Sequence, residues 1–262
     1  MPVAGIDVGA VSAKALILSN DHTFCFSIEP TGHDVSKAAE RVATQALEKA
    51  GCTKADLDYV MATGYGRYAI PFANETKTEI ICHAKGAYFL IPQARTIIDI
   101  GGQDSKVIAI DRKGKVTHFV MNDKCAAGTG RFLEVMASAL DLELEELGHV
   151  SLTSQNPSHI SSTCTVFAES EVVSLRAKGE TRENLIAGLH KSTVSRVVLM
   201  GLGASINFTE EVVFTGGVAK NIGVRKALEE KLCMQILISE EPQIVGALGA
   251  ALLAAEASVK DM

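Results

Sequence analysis

One stretch of this chain occurs twice, and the repeat limits what the chain can fold into. Ile6-Asp7-Val8-Gly9 followed by Lys14 recurs as Ile98-Asp99-Ile100-Gly101 followed by Lys106, with the lysine seven residues after the aspartate each time. Apolar, β-branched runs follow both motifs, Ala15 to Leu18 and Val107 to Ile110, so each predicts strand, tight turn, strand. A second turn signal comes next, Ser19-Asn20-Asp21 in one half and Asp111-Arg112-Lys113-Gly114 in the other, ahead of a third strand. Each half then has an amphipathic helix, roughly Val35 to Ala50 and roughly Arg131 to Leu147. Two strands that end in Thr-Gly also match, Tyr59 to Gly64 and Val212 to Gly216, as do the later helical segments Ala84-Lys85-Gly86-Ala87 and Ala247-Leu248-Gly249-Ala250.

A three-strand meander followed by alternating helices and strands, given twice, predicts an α/β fold of two duplicated lobes with mixed sheets and a ligand cleft between them. The expected first lobe is residues 1–95 plus 243–262, with the last helix returning to it, and the second is 96–242. Residues 151–205 have no counterpart in the first half and read as a mostly helical insertion.

Composition removes several classes. The net charge is −6 and basic residues are scattered, so no footprint for DNA or RNA is expected. The longest near-apolar run, Val245 to Ala255, is too short to span a bilayer, and no signal-peptide pattern opens the chain. Six cysteines (Cys25, Cys52, Cys82, Cys125, Cys164, Cys233) without a secretion signal do not form a disulfide framework, so a reducing cytoplasm is the expected compartment.

A lone Asp-x-Gly is an ordinary strand and turn, whereas an ordered set is informative. Asp7-x-Gly9, Asp99-x-Gly101-Gly102, Thr215-Gly216-Gly217 and Gly246-Ala247-x-Gly249 together resemble the actin/hexokinase/Hsp70-like superfamily, with ribonuclease H-like lobes, over essentially the whole chain. Glycines in both turns let backbone N–H groups approach the phosphates of ATP or ADP. The resemblance implies that Asp7 and Asp99 hold Mg²⁺, mainly through water. Gly9, Ala10, Val11, Ser12, Ala13 and Lys14 would wrap the phosphates, with the Ser12 hydroxyl and Lys14 ammonium as side-chain contacts. Gly101 and Gly102 form the second turn, and Gln103, preferred over Asp104, would position the attacking water. Gly216 and Gly217 would lie against adenosine, with Lys220 and Gln243 near its rim.

Two cysteines stand apart from the rest. Cys125 precedes an amphipathic pattern containing Phe132, Val135, Met136 and Leu140, and Cys164 lies among capping residues ahead of a helix expected to stop near Gly179. Both are expected at helix N-termini, where the dipole favours a thiolate and an anionic ligand. On residue type alone they are either structural thiols or ligands, and two thiols do not complete the four-cysteine set of an iron–sulfur cluster, although a two-fold dimer would. Cys25, Cys52, Cys82 and Cys233 read as core filler, and the histidines, His83 and His190 among them, form no metal spacing.

Asn122-Asp123-Lys124-Cys125-Ala126-Ala127-Gly128-Thr129-Gly130-Arg131 and the run from Ser162 to Glu171, with Ala62-Thr63-Gly64-Tyr65-Gly66-Arg67, resemble the activator component of 2-hydroxyacyl-CoA dehydratases and the related ATPase subunits of benzoyl-CoA reductase. That resemblance implies a homodimeric ATPase with one 4Fe-4S cluster per dimer, held by Cys125 and Cys164 of each chain. It implies transfer of a low-potential electron from ferredoxin or flavodoxin to a dehydratase, itself an iron–sulfur heterodimer, coupled to ATP hydrolysis. The competing readings are a sibling activator of benzoyl-CoA reductase or of a double-cubane cluster reductase, an N-acetylhexosamine-type kinase, and a non-catalytic scaffold gated by nucleotide.

Overall fold

Val3–Val8 is buried along its whole length, as in a strand covered on both faces, with Asp7 its one charged residue. It is the central strand of the first of two sheets in a computed structural model that describes residues 2–19, 23–161, 164–208 and 211–259. In chain order the strands are β1 (Val3–Val8), β2 (Ser12–Leu18), β3 (Phe24–Pro30), β4 (Tyr59–Thr63), β5 (Glu75–Thr76), β6 (Thr96–Ile100), β7 (Ser105–Ile110), β8 (Val116–Asn122), β9 (Val212–Thr215) and β10 (Ile236–Leu237). The helices are α1 (Val35–Ala50), α2 (Glu79–Leu90), α3 (Gly130–Ala139), α4 (Glu146–Ser151), α5 (Thr165–Ala177), α6 (Arg182–Gly203), α7 (Ile222–Leu232) and α8 (Val245–Ser258).

Packing divides the described residues into two units, one drawn from 1–97, 110–117 and 239–262 and the other from 98–109 and 118–238. The first contains a mixed sheet of order β3-β2-β1-β4-β5, in which β1 runs antiparallel to β2 and parallel to β4. The period-two alternation of a strand sorts its side chains. Ala4, Ile6 and Val8 with Ala13, Ala15 and Ile17 pack under α1, whereas Val3, Leu16 and Leu18 pack under α8. Helix α1 is amphipathic, capped by the Asp34 side chain accepting from the Lys37 N–H and closed by Gly51 at φ 67°. Full burial of a residue such as Val42 or Leu47 on its inner face contributes roughly 2 kcal/mol.

Helix α8 is nearly all small and apolar, and the reason is distance. A Cβ on Gly249 would lie 1.7 Å from the Cys82 carbonyl oxygen, and one on Gly86 would lie 2.1 Å from that of Val245, so α2 and α8 meet backbone to backbone. A Cβ on Gly5 of β1 would likewise lie 2.0 Å from the Ala247 carbonyl. The two helical segments that match each other in sequence are therefore in contact within one unit.

The second unit has the order β10-β9-β6-β7-β8, which read from its other edge, as β8-β7-β6-β9-β10, matches the first sheet position for position. The duplication expected from the two Asp-x-Gly motifs is thus a duplication of topology. Its core joins Ile98, Ile100, Phe132, Met136, Phe214 and Val197. Two local expectations need correction. The helix expected over Arg131 to Leu147 is broken, because Leu140 caps α3 and Asp141 turns the chain at φ 54° before α4 begins. The second correction is at Cys125, which precedes the first residue of α3 by five positions and lies on a loop. Within 151–205, α5 and α6 supply the expected helices, and α5 stops two residues before Gly179, which has φ 90°.

Candidate functional site

The first hairpin follows directly from its sequence. The Gly9 N–H donates to the Ser12 carbonyl at 3.0 Å, leaving Ala10 and Val11 exposed at the tip. Antiparallel register puts Lys14 opposite Asp7, and its Nζ lies 3.5 Å from the Asp7 carboxylate while donating to the Ser12 carbonyl at 3.1 Å. Asp7 is 5% exposed, so the lysine supplies the countercharge a buried carboxylate requires. Ser12 is half-buried and Ala13 fully buried. Thr31, which no sequence signal marked, ties the turn to β3: its hydroxyl donates to the Gly9 carbonyl at 2.7 Å and its N–H to that of Val11 at 2.9 Å.

The second hairpin repeats this geometry, with the Gly101 N–H donating to the Asp104 carbonyl at 2.9 Å. Gly102 and Gln103 form the tip, and Gln103 is exposed. Lys106 is 2% exposed and joins two carboxylates, Asp99 at 3.1 Å and Asp104 at 2.8 Å. Asp104 is thereby committed within the fold, whereas Gln103 faces outward. The Thr215 hydroxyl donates to Asp99 Oδ1 at 2.8 Å. Gly216 (φ 86°) brings the next turn against this carboxylate, since a Cβ there would lie 2.4 Å from the Ile100 carbonyl oxygen. Gly217 opens a short 3₁₀ helix that ends at Lys220, and the Asn221 side chain then caps α7 through the Gly223 and Val224 N–H groups.

The candidate residues thus fall into two sets. Asp7, Gly9, Ala10, Val11, Ser12, Ala13, Lys14 and Gln243 belong to the first unit, with the Gln243 N–H donating to the Glu241 carboxylate at 3.1 Å. Asp99, Gly101, Gly102, Gln103, Gly216, Gly217 and Lys220 belong to the second. Sequence reasoning missed His83, which is 6% exposed and whose Nε2, like Asp7 Oδ2, lies 3.0 Å from where a Cβ on Gly246 would stand. Each hairpin thus presents a buried carboxylate already paired with a lysine, which would suit contact with a hydrated cation such as Mg²⁺ rather than direct ligation.

The two singled-out thiols are also in the second unit. Asn122 shapes the Cys125 loop, its Oδ1 accepting from the Cys125 N–H at 3.2 Å and its Nδ2 donating to the Cys125 carbonyl at 2.8 Å. The Cys125 sulfur is 3.5 Å from Arg196 Nη2, so its surroundings are cationic. Cys164 is exposed and occupies the N-cap position of α5. Val166 and Phe167, just inside the helix, are 65% and 67% exposed, and Val173 continues the same face two turns on. No three His, Cys, Asp or Glu residues cluster at metal-binding distance among the described residues. Burial pushes the Cys82 thiol up to about 12 and leaves it an inert core group.

The model of the BadF/BadG/BcrA/BcrD ATPase family matches residues 4–254. The chain belongs to this ATPase family. It is 48% identical over 260 residues, 99% of itself and 100% of the relative, to the activator of lactoyl-CoA dehydratase from Anaerotignum propionicum. Among solved structures, (R)-2-hydroxyglutaryl-CoA dehydratase component A of Acidaminococcus fermentans matches with TM-score 0.94 and 44% identity over 99% of both chains. The activator of 2-hydroxyisocaproyl-CoA dehydratase from Clostridium difficile, solved with bound ADPNP, matches with TM-score 0.93 and 41% identity over 100% of this chain and 97% of that one. The fold of this family member is the actin-like ATPase fold, and sugar kinases share it. No described helix is long and apolar enough to cross a membrane.

Proposed function

We propose that this ATPase is the reductive activator of a 2-hydroxyacyl-CoA dehydratase, passing a low-potential electron from ferredoxin or flavodoxin to that enzyme at the expense of ATP. The observation that carries the reading is Cys164 at the start of α5, beside the exposed Val166 and Phe167, on the unit that also holds the Asp99 hairpin. An exposed thiol framed by apolar surface suits a group shared between two chains, because a second copy would cover the apolar face and supply the missing thiolates. In this reading Cys125 and Cys164 of each protomer of a homodimer hold one 4Fe-4S cluster, which when bound accepts and releases a single electron. The 39-residue spacing of the two cysteines and their different surroundings support two ligands per chain rather than a self-contained site.

The nucleotide roles follow from the hairpins. Asp7 and Asp99 orient hydrated Mg²⁺ with ATP or ADP, and the turns at Gly9 to Lys14 and at Gly101 to Gln103 carry the phosphates. Gln103 orients the attacking water, which its exposure and the engagement of Asp104 by Lys106 both favour. Gly216, Gly217, Lys220 and Gln243 contact the nucleoside. The lobes serving these roles are residues 1–95 with 243–262 and residues 96–242, and the protein acts in the cytoplasm. The test is anaerobic purification with iron counting. Wild type should carry about four irons per two chains, and either Cys125→Ala or Cys164→Ala should remove them. A wild-type dimer free of iron after anaerobic reconstitution would leave an ATPase without redox function, closer to a kinase.

A further inference from the structure

The two half-sites are not copies at one position. In the second, the threonine at the end of β9 holds the aspartate, with the Thr215 hydroxyl donating to Asp99 Oδ1 at 2.8 Å. In the first, the matching threonine at the end of β4 is turned away, and the Thr63 hydroxyl donates to the Lys77 carbonyl at 3.0 Å. Asp7 therefore lacks the neighbour its counterpart has. A different side chain approaches Asp7, on the side of its Oδ2 rather than its Oδ1. His83 Nε2 and Asp7 Oδ2 each lie 3.0 Å from the point where a Cβ on Gly246 would stand. The imidazole and the carboxylate thus both approach the second residue of α8, where a Cβ would press on each of them at 3.0 Å. His83 comes from α2, which the Gly86 and Gly249 contacts fix against α8. The 14-residue α8 also turns its N-terminal, partially positive end toward the Asp7 carboxylate.

We propose that His83 is a positioning residue for Asp7, fixing the carboxylate that orients hydrated Mg²⁺, the task Thr215 performs for Asp99. Building on the nucleotide roles above, this gives the first half-site a partner behind the metal-orienting group that the hairpin motif does not encode. A partner of this kind sets the orientation of the group in front of it, and its removal typically weakens metal affinity or activity tenfold to a hundredfold.

The test uses the full-length protein, with MgATP hydrolysis followed against free Mg²⁺ and Mg²⁺-dependent ADP binding followed by calorimetry. His83→Ala should raise the Mg²⁺ half-saturation roughly tenfold or more and weaken ADP binding in Mg²⁺ but not in EDTA. His83→Gln, which keeps a donor near the Nε2 position, should recover most of the loss, and it decides the matter should His83→Ala not fold. Gly246→Ala should resemble His83→Ala, and Thr63→Val should leave the Mg²⁺ dependence unchanged. Unchanged Mg²⁺ half-saturation in folded His83→Ala, or an effect of Thr63→Val as large, overturns the inference. Asp7→Ala run in parallel separates the two levels. If Asp7→Ala leaves hydrolysis intact, the role of Asp7 itself fails, whereas loss with Asp7→Ala alone rejects only the part given to His83.

Discussion

Lys106 and Lys14 hold equivalent places in the two hairpins but differ in burial, and the difference is measurable. Lys106 is enclosed and bridges Asp99 and Asp104, so Lys106→Met would leave two buried carboxylates facing each other and should lower stability by about 3–5 kcal/mol. Lys14 keeps 13% of its side-chain exposure, and Lys14→Met should cost clearly less in the same chemical unfolding experiment. His190, enclosed in the second unit with Nε2 3.5 Å from Asn221 Nδ2, gives a pH test. Burial pushes it down to about 4, so its folded value lies below the ordinary 6.5 and the unfolded chain binds the extra proton. Stability is therefore full above about pH 6.5 and falls as pH drops toward 4, by up to ~1.4 kcal/mol per pH unit. The difference between wild-type and His190→Gln unfolding curves should carry that slope; a difference independent of pH would contradict it. At this scale the aspartate–lysine pairs were legible, because seven-residue spacing across a two-residue tip dictates cross-strand register. Thr31 and His83 were not, since each approaches its hairpin from a distant segment with no local pattern, and Thr215 was legible only as part of its Thr-Gly-Gly motif, not as the partner of Asp99.

Among the elements, the contact of α2 with α8 rests on glycines. Gly249→Ala would drive a methyl into the Cys82 carbonyl and should destabilise by about 3 kcal/mol or more, with lower expression as the companion sign. Gly203, at the end of α6, has open space around its would-be Cβ, so Gly203→Ala should be neutral or raise stability by up to ~1 kcal/mol. Thermal melts of the two variants should move in opposite directions. The sequence showed both glycine-bearing segments and matched them to each other, yet periodicity says nothing about which surfaces meet. The break after Leu140 was hidden for another reason: Asp141 adopts a left-handed conformation without glycine or proline to announce it. The loop position of Cys125 was hidden too, because Gly128 (φ 87°) and the Thr129 cap start α3 later than the apolar pattern suggests.

For the whole molecule, the duplication and the mixed sheets were legible in short repeated motifs, whereas the strand order came only from the structure. The redox reading came from the resemblance of the segments around Cys125 and Cys164 to the activator family, since the residue types alone left both open as structural thiols or ligands. If a second copy covers α5, Phe167→Asp should shift the protein toward monomer in sedimentation and lower its iron content while its fold is retained, since Phe167 makes little contact within its own chain. The central claim is that ATP hydrolysis drives electron delivery to a dehydratase, and the most direct measurement is anaerobic activation of a purified 2-hydroxyacyl-CoA dehydratase with reduced ferredoxin. Wild type should activate it only when MgATP is present, and Cys164→Ala should abolish activation. Activation that proceeds without ATP, or that survives in Cys164→Ala, would contradict the account.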